Sequence, residues 1–360
     1  MEKAELAVSA PGRLCLLGEH QDYFGLPVIA AAIDLRVHIS GKRRKDRRFV
    51  IQQPDIGEYD EFDTKGELPY TREREYIRSV VNVLKRNDVP LPHGWNCTVK
   101  GTIPINSGTS SSSALVVAWI KFLLEAAGHP DADKPESIAE LAFQAEVEEF
   151  NEPGGKMDHY TCALGGIVSI HFSGPLTLNN FNVPLGEFVL ADSLIRKNTT
   201  RTLDTIKRRV FSGVSRLQKR LETFHLQTVI GKREEKAIGG LPEIVRRFVK
   251  GTLETRNITS RGESLFQTEP FDHKMFGELL NKQQDVLRTF LNVSSPKLDR
   301  MTETALEAGA LGAKINGSGE GGCIFAYCPG KSEQVSEAIE RLGAEVYSVR
   351  VDEGVKKEMP

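Results

Sequence analysis

The sequence predicts an α+β fold in two domains. Short β-rich runs separated by turns fill the first third of the chain, helical patterns dominate the middle and later parts, and two strand-like runs flank a helix near the C-terminus. Runs of strands mixed with runs of helices argue for α+β rather than a doubly wound parallel sheet. A chain of 360 residues is long enough for about two domains and an ample core. The expected division is 1–183 and 184–360, because a strand at 188–192 opens the second half.

Residues 28–33 and 36–40 read as neighbouring strands and 49–52 as a third. Residues 95–100 alternate with period two and lead into the loop at Pro104. The basic cluster from Lys42 to Arg48 reads as a solvated hairpin turn or strand edge. Ile138, Leu141, Ala142 and Ala145 fall at helical spacing, which predicts an amphipathic helix over 136–150 with Pro135 and Glu136 near its first turn. A strand follows Gly165-Gly166 over 167–172 and ends at Ser173-Gly174-Pro175. Helices are expected over 203–226, with Lys and Arg on the polar face, and over 242–254, 273–291 and 296–308. Strands at 322–328 and 345–351 flank a helix near 335–342.

Bulk properties exclude several classes of function. The net charge of −2 gives no field that would draw nucleic acid or an anionic membrane, so neither is expected as a partner. Residues 1–6 lack the apolar core of a signal peptide, and no stretch approaches the roughly 18 apolar residues that span a bilayer. The five cysteines, Cys15, Cys97, Cys162, Cys323 and Cys328, include no Cys-x-x-Cys pair. Reduced thiols and a cytoplasmic location are expected, and a zinc site is not.

The chemistry concentrates in three segments. Gly108-Thr109-Ser110-Ser111-Ser112-Ser113 runs straight into the apolar stretch Val116 to Leu124. That reads as a loop feeding the first turn of a buried helix. Unpaired N–H groups and the positive end of the helix dipole there suit an anion. No Gly-Lys-Ser/Thr follows, so this is not a Walker A loop. Near the N-terminus the chain reads Pro11-Gly12-Arg13-Leu14-Cys15-Leu16-Leu17-Gly18-Glu19-His20-Gln21-Asp22-Tyr23, and near the C-terminus Lys314-Ile315-Asn316-Gly317-Ser318-Gly319-Glu320-Gly321-Gly322.

In this order and spacing, the three segments resemble the signature motifs of the GHMP family of small-molecule kinases. The first is most similar to the galactokinase version, and the resemblance spans residues 11–323. It implies two α+β domains with the active site in the cleft between them, ATP and Mg²⁺ as cofactors, a small sugar as acceptor, and a monomer or weak homodimer. The loop of Gly108, Thr109, Ser110, Ser111, Ser112 and Ser113 would cradle the ATP phosphates. The metal hydroxyl falls at Ser112, or at Ser113 if the register shifts, because Thr109 and Ser113 depart from the family's Leu and Ala. Glu146 resembles the family's metal-binding glutamate. Pro153-Gly154-Gly155-Lys156-Met157-Asp158 resembles the galactokinase segment that carries the catalytic acid. This makes Asp158 the base or the group that orients the acceptor hydroxyl, and places Gly155 with the acceptor. Arg13 would stabilise the transferring phosphoryl group or keep Asp158 ionised. Glu19, His20 and Asp22 would bind sugar hydroxyls, and Gly317, Gly319 and Gly321 would support the phosphate loop.

The chain departs from the family pattern in places. Cys15 stands where Asn is usual and Asn316 where Thr is usual. The stretch from Asn198 to Arg209 lacks the tyrosine that touches the sugar in galactokinases. Galactose leads as acceptor, with a related aldose, a uronic acid or mevalonate as alternatives. A non-catalytic sugar sensor on the same fold would lose part of the serine loop or the catalytic pair. Here Arg13, Ser112, Glu146 and Asp158 are all present.

Overall fold

The structure is a computed structural model that describes residues 4–105, 107–197 and 199–359. Part of the 1–6 reading, and Asn198 of the 198–209 stretch, therefore lie outside the described residues. The strands are β1 (Leu6–Leu17), β2 (Val28–Arg43), β3 (Arg48–Gln53), β4 (Glu58–Asp63), β5 (Trp95–Gly101), β6 (Ile167–His171), β7 (Thr177–Phe181), β8 (Glu187–Asp192), β9 (Gly312–Ile315), β10 (Cys323–Tyr327), β11 (Glu345–Arg350) and β12 (Lys356–Glu358). The helices are α1 (Tyr76–Arg86), α2 (Ser111–Ala127), α3 (Pro135–Phe143), α4 (Met157–Leu164), α5 (Thr199–Gln218), α6 (Lys232–Gly239), α7 (Glu243–Phe266), α8 (His273–Val286), α9 (Pro296–Glu307) and α10 (Ser332–Glu340).

Eight strands form one sheet with the order β12-β1-β2-β5-β3-β4, and β6 and β7 extend it from β2. The pairings are antiparallel except for β3 with β5. A second, four-stranded antiparallel sheet has the order β11-β8-β10-β9. The α+β class is as the sequence predicts. Two expected strands, 28–33 and 36–40, are instead the single long strand β2. Pro11 faces Arg36 while Gly12 faces Ile33, so Asp34 and Leu35 form a bulge rather than a turn. The bulge also tolerates Pro11 inside β1, where the ladder is already interrupted. The basic cluster after β2 is a strand connection but not a hairpin, because β5 lies between β2 and β3. Its side chains pair locally, Arg44 with Asp46 and Arg48 with Glu61.

Helix α2 is apolar almost all round, and Val116 to Leu124 are buried as one run. Trp119 and Phe122 stack within it, each contributing roughly 1.5–3 kcal/mol through burial. Its one buried cation, Lys121, ends on the Ala132 carbonyl at 2.7 Å and on Glu125 at 2.7 Å. The helix expected over 136–150 stops at Phe143 and continues as a π-helical turn over Gln144–Glu148. The 203–226 helix ends at Gln218. Leu221, Phe224 and Leu226 keep its apolar spacing but pack from turns. Helix α7 outruns the expected 242–254 and reaches Phe266. Its C-terminal half crosses β1 so closely that a Cβ at Gly262 would lie 2.2 Å from Leu17 Cδ1.

Three clusters make the core. One lies between the large sheet and α1 to α4, and one under the small sheet with α5, α9 and α10. The third joins the two sheets through Leu14, Leu16, Ile29, Phe188, Phe325 and Phe276. The chain end returns to the large sheet, where β12 pairs with β1 and Arg36 holds Asp352 at 2.6 Å. All five cysteines are buried and unpaired with one another. Among the described residues no helix is long and apolar enough to cross a membrane.

Candidate active site

A cavity of about 700 Å³ opens between the serine loop, the end of β1, the start of α4 and the start of α5. Its walls include Arg13, Glu19, His20, Asp22, Gly108, Ser110 to Ser113, Glu146, Gly155, Asp158 and Gly317. Segments more than 300 residues apart in sequence thus converge on one space.

The centre is an ion pair. Arg13, on β1, donates from Nε and Nη2 to the two carboxylate oxygens of Asp158, each at 2.8 Å. Such fork-to-carboxylate pairing fixes both groups in orientation as well as distance. Nη1 of Arg13 donates to the Gly108 carbonyl, and Ser110 Oγ donates to Asp158 Oδ2 at 2.6 Å. Ser110 adopts a left-handed backbone (φ 61°) just before α2, which turns its hydroxyl toward the acid and leaves Ser111 to Ser113 on the first helical turn. Burial alone would raise the Asp158 carboxyl. The charge of Arg13 and the hydrogen bonds from Ser110 and Arg13 outweigh it and hold Asp158 below the ordinary carboxylate range.

Asp22 lies beside this pair, at the start of a 3₁₀ turn over Asp22–Phe24. Burial, then the charge of Asp158, push its carboxyl up to about 6. Its Oδ2 accepts the Met157 N–H at 3.3 Å. Gly155 presses against it, and a Cβ there would lie 2.0 Å from Asp22 Oδ2. Gly155 has an ordinary negative φ, so the constraint is steric. Gly155→Ala must displace Asp22, and we expect kcat/KM for the acceptor to fall about 10²-fold, as for small misplacements of reacting groups, with ATP affinity unchanged. A value within threefold of wild type would show that Asp22 does not need this contact.

Glu19 and His20 are buried at the end of β1. Glu19 Oε1 meets Lys314 Nζ at 2.6 Å, while Glu19 Oε2 accepts no hydrogen bond among the described residues. His20 Nδ1 pairs with the Tyr23 hydroxyl at 3.0 Å. Burial lowers the His20 imidazole to about 3, so it is neutral at physiological pH.

Of the two acids in the π-helical turn, Glu146 lines the cavity and Glu148 does not. Glu146 is buried and its Oε2 pairs with His159 Nε2 at 2.8 Å. Glu149 turns away to Arg86 at 2.6 Å. A π-turn inserted at this point re-aims the helix face, a device common at functional sites. Ser112 and Ser113 both line the cavity, and Ser113 is the more buried.

Thr109 differs from its loop neighbours. It is fully buried off the cavity wall, its hydroxyl pairs with Ser107 Oγ at 2.7 Å, and its carbonyl accepts the Arg13 N–H at 3.2 Å. It braces the loop from behind. The third segment lies back to back with this loop: a Cβ at Gly317 would meet the Gly108 carbonyl at 2.9 Å. Gly319 and Gly321 sit behind it against the Val293 and Ile195 carbonyls rather than on the cavity wall. Two departures from the family pattern meet here. The Cys15 N–H donates to Asn316 Oδ1 at 2.9 Å, and Asn316 Nδ2 donates to the Gly108 carbonyl at 3.0 Å.

Two functional candidates were not legible in the sequence. Lys314 is fully buried behind Glu19. Lys197 is half-buried on the cavity wall, and a Cβ at Gly108 would lie 2.6 Å from its Nζ. Burial, then the nearby Arg13, lower it to about 8. Each lysine stands in a segment whose basic residues gave no sign of which one turns inward.

Comparisons with known proteins bear on the family of the chain. Residues 75–166 match the GHMP kinases N terminal domain, 264–345 the GHMP kinases C terminal domain, and 1–43 the galactokinase galactose-binding signature. The chain belongs to the GHMP kinase family. Within it the chain is of the galactokinase type, an ATP-dependent phosphotransferase acting on a sugar hydroxyl. It is 28% identical to a galactokinase of Haemophilus influenzae, over 90% of this chain and 85% of that one. It is also 28% identical to a galactokinase of Staphylococcus saprophyticus, over 98% and 96%. The solved galactokinase of Lactococcus lactis complexed with galactose superposes with a TM-score of 0.83 at 23% identity, covering 98% of this chain and 95% of that one. The mevalonate kinase of Methanococcus jannaschii reaches 0.72 at 18% identity, covering 96% and 98%. The fold is therefore common to kinases with different acceptors.

Proposed function

We propose that the chain transfers the γ-phosphoryl group of MgATP to the anomeric hydroxyl of galactose or a close relative, in a cleft between two domains near 1–183 and 184–360. The observation that carries this reading is the Arg13–Asp158–Ser110 cluster, which joins the serine loop to the acceptor side of one cavity.

The first-turn N–H groups of α2 and the Ser111 to Ser113 hydroxyls receive the phosphates. Arg13 and Lys197 bring positive charge to the phosphate loop, where charge on the transferring group must be balanced. Asp158 accepts the hydrogen bond of the attacking hydroxyl. Its lowered basicity makes it a weak base on the free hydroxyl, so it orients the oxygen first and takes the proton late, as the bond to phosphorus forms. Asp22, Oε2 of Glu19 and neutral His20 bind the other hydroxyls. Thr199, Thr200 and Leu203 wall the cavity beside the segment where galactokinases carry a tyrosine, which favours a sugar specificity differing in detail from that of ordinary galactokinases.

The residues present fit a magnesium ion. Glu146 and Ser112 offer hard oxygens on the cavity wall. No group of three or more His, Cys, Asp or Glu gathers into an all-protein site among the described residues, as suits an ion held largely by nucleotide phosphates. Bound there, Mg²⁺ would neutralise phosphate charge. We expect Glu146→Ala to raise the Mg²⁺ concentration for half-maximal rate about tenfold or more and to weaken MgATP binding by calorimetry. Glu149→Ala should leave both unchanged, and the reverse pattern would assign the wrong acid. The reading further expects a cytoplasmic monomer or weak homodimer, checked by light scattering and cell fractionation.

A further inference from the structure

We propose that Lys314 is a positioning residue for the acceptor. It fixes the orientation of Glu19 so that a single oxygen, Oε2, is left for a sugar hydroxyl. The inference rests on the proposed acceptor role of Glu19.

Lys314 stands on β9 of the small sheet, while Glu19 follows β1 of the large one. Their side chains are 0% and 1% exposed and meet at 2.6 Å. Lys314 Nζ also donates to the Cys15 carbonyl at 2.9 Å and the Ile315 carbonyl at 2.8 Å. Its three donors therefore have three acceptors, and the ammonium lies 4.8 Å from the centre of the Phe325 ring. Nothing in this arrangement leaves the lysine free to reach a ligand. Its effect on the cavity passes through Glu19.

On Glu19 the consequence is asymmetric. Oε1 takes the ammonium at 2.6 Å and the Gly317 N–H at 3.4 Å. Oε2 is buried and accepts no hydrogen bond among the described residues, on a residue that lines the cavity and whose carboxylate otherwise meets the Cys15 thiol. A buried acceptor without a partner is costly and is ordinarily satisfied. A sugar hydroxyl is the group that fits, because an ionised carboxylate only accepts. Lys314 also sets where that oxygen points. The Gly317 N–H that shares Oε1 belongs to the loop behind the phosphate site, so acceptor and phosphate sides are tied by one carboxylate.

The test is a double-mutant cycle on the full chain, with steady-state kinetics for galactose and ATP and a melting curve for each variant. Lys314→Met should raise the acceptor KM about tenfold or more, in line with loss of a charge-assisted contact, and leave the ATP KM within about twofold. Lys314→Arg should restore the acceptor KM to within about threefold of wild type, because the charge is kept. In a Glu19→Gln background, Lys314→Met should add less than about threefold, since both changes act through one group. Should Lys314→Met fail to fold, Lys314→Gln keeps a donor in the buried site and carries the same comparison. Effects of the two positions that multiply independently, or acceptor and ATP KM values that rise together, would overturn the assignment. The functional reading fails by a different sign, absence of turnover by the wild type with any sugar, and tritiated galactose binding by the variants would then still read the cycle.

Discussion

Asp158→Asn lowers kcat at least about 10²-fold, the usual contribution of a positioned proton acceptor, while MgATP still binds. The substitution keeps the shape of the side chain and removes its capacity to take a proton. It also strips the bidentate partner from Arg13, whose guanidinium is 5% exposed. An uncompensated buried charge can cost about 3–5 kcal/mol, so the melting temperature should fall as well. The two effects separate by measurement. Turnover at saturating substrates reads the chemistry, and calorimetric binding of MgATP reads the integrity of the phosphate loop, which Arg13 still reaches through the Gly108 carbonyl. A variant with near-normal kcat would remove Asp158 from its role whatever its stability.

Asp22→Ala raises the acceptor KM by about 10–100-fold or more, because hydrogen bonds to a charged group carry about 1.5–3 kcal/mol, and spares ATP affinity. The pH dependence gives a second reading. Asp22 is held up to about 6 by burial and by Asp158, whereas Asp158 lies below the ordinary carboxylate range. As pH falls through about 6, Asp22 is the first of the two to take a proton, and a protonated acid can no longer accept two hydroxyl bonds. Acceptor kcat/KM should therefore decline below pH 6, and Asp22→Asn should abolish that limb. The stability sign runs the other way. A carboxylate whose folded value is raised favours the fold most below its unfolded value of 3.8 and loses that advantage as pH rises through about 6. At pH 8 Asp22→Asn should therefore melt higher than wild type. An unchanged acidic limb in this variant would assign the titration to another group.

Much of this site was legible in the sequence because its chemistry sits in short, contiguous motifs. Arg13, Asp22, Glu146, Gly155 and Asp158 stand in segments whose resemblance to the GHMP kinase motifs implied a phosphoryl-transfer site, and the structure gathers them on one cavity. Legibility ended where contacts depend on distant segments. Lys314 pairs with a residue 295 positions away, and Asn316 accepts the Cys15 N–H from 301 positions away, so local pattern carried no trace of either. Thr109 sits inside a loop of polar residues, and only the packing shows that it faces away from the cavity. The same limit applied to the fold. Strand β1 was not read as a strand because it is buried on both faces and so lacks alternation, and it contains Pro11 at a bulge. Helices α1, α4 and α6 and strands β4, β7, β9 and β12 were also missed. Helix α7 was cut short because its second half is rich in Thr, Ser and Gly, chosen for close packing against β1 rather than for helix propensity.

The central claim is that one cavity joins ATP to a sugar's anomeric hydroxyl. The most direct measurement is ADP release by the purified chain with MgATP over a panel of monosaccharides, uronic acids and mevalonate, followed by phosphorus and carbon NMR of the product. The account predicts turnover with galactose or a close epimer and a phosphate on C1. Turnover with mevalonate alone, or a phosphate on any other carbon, would contradict it.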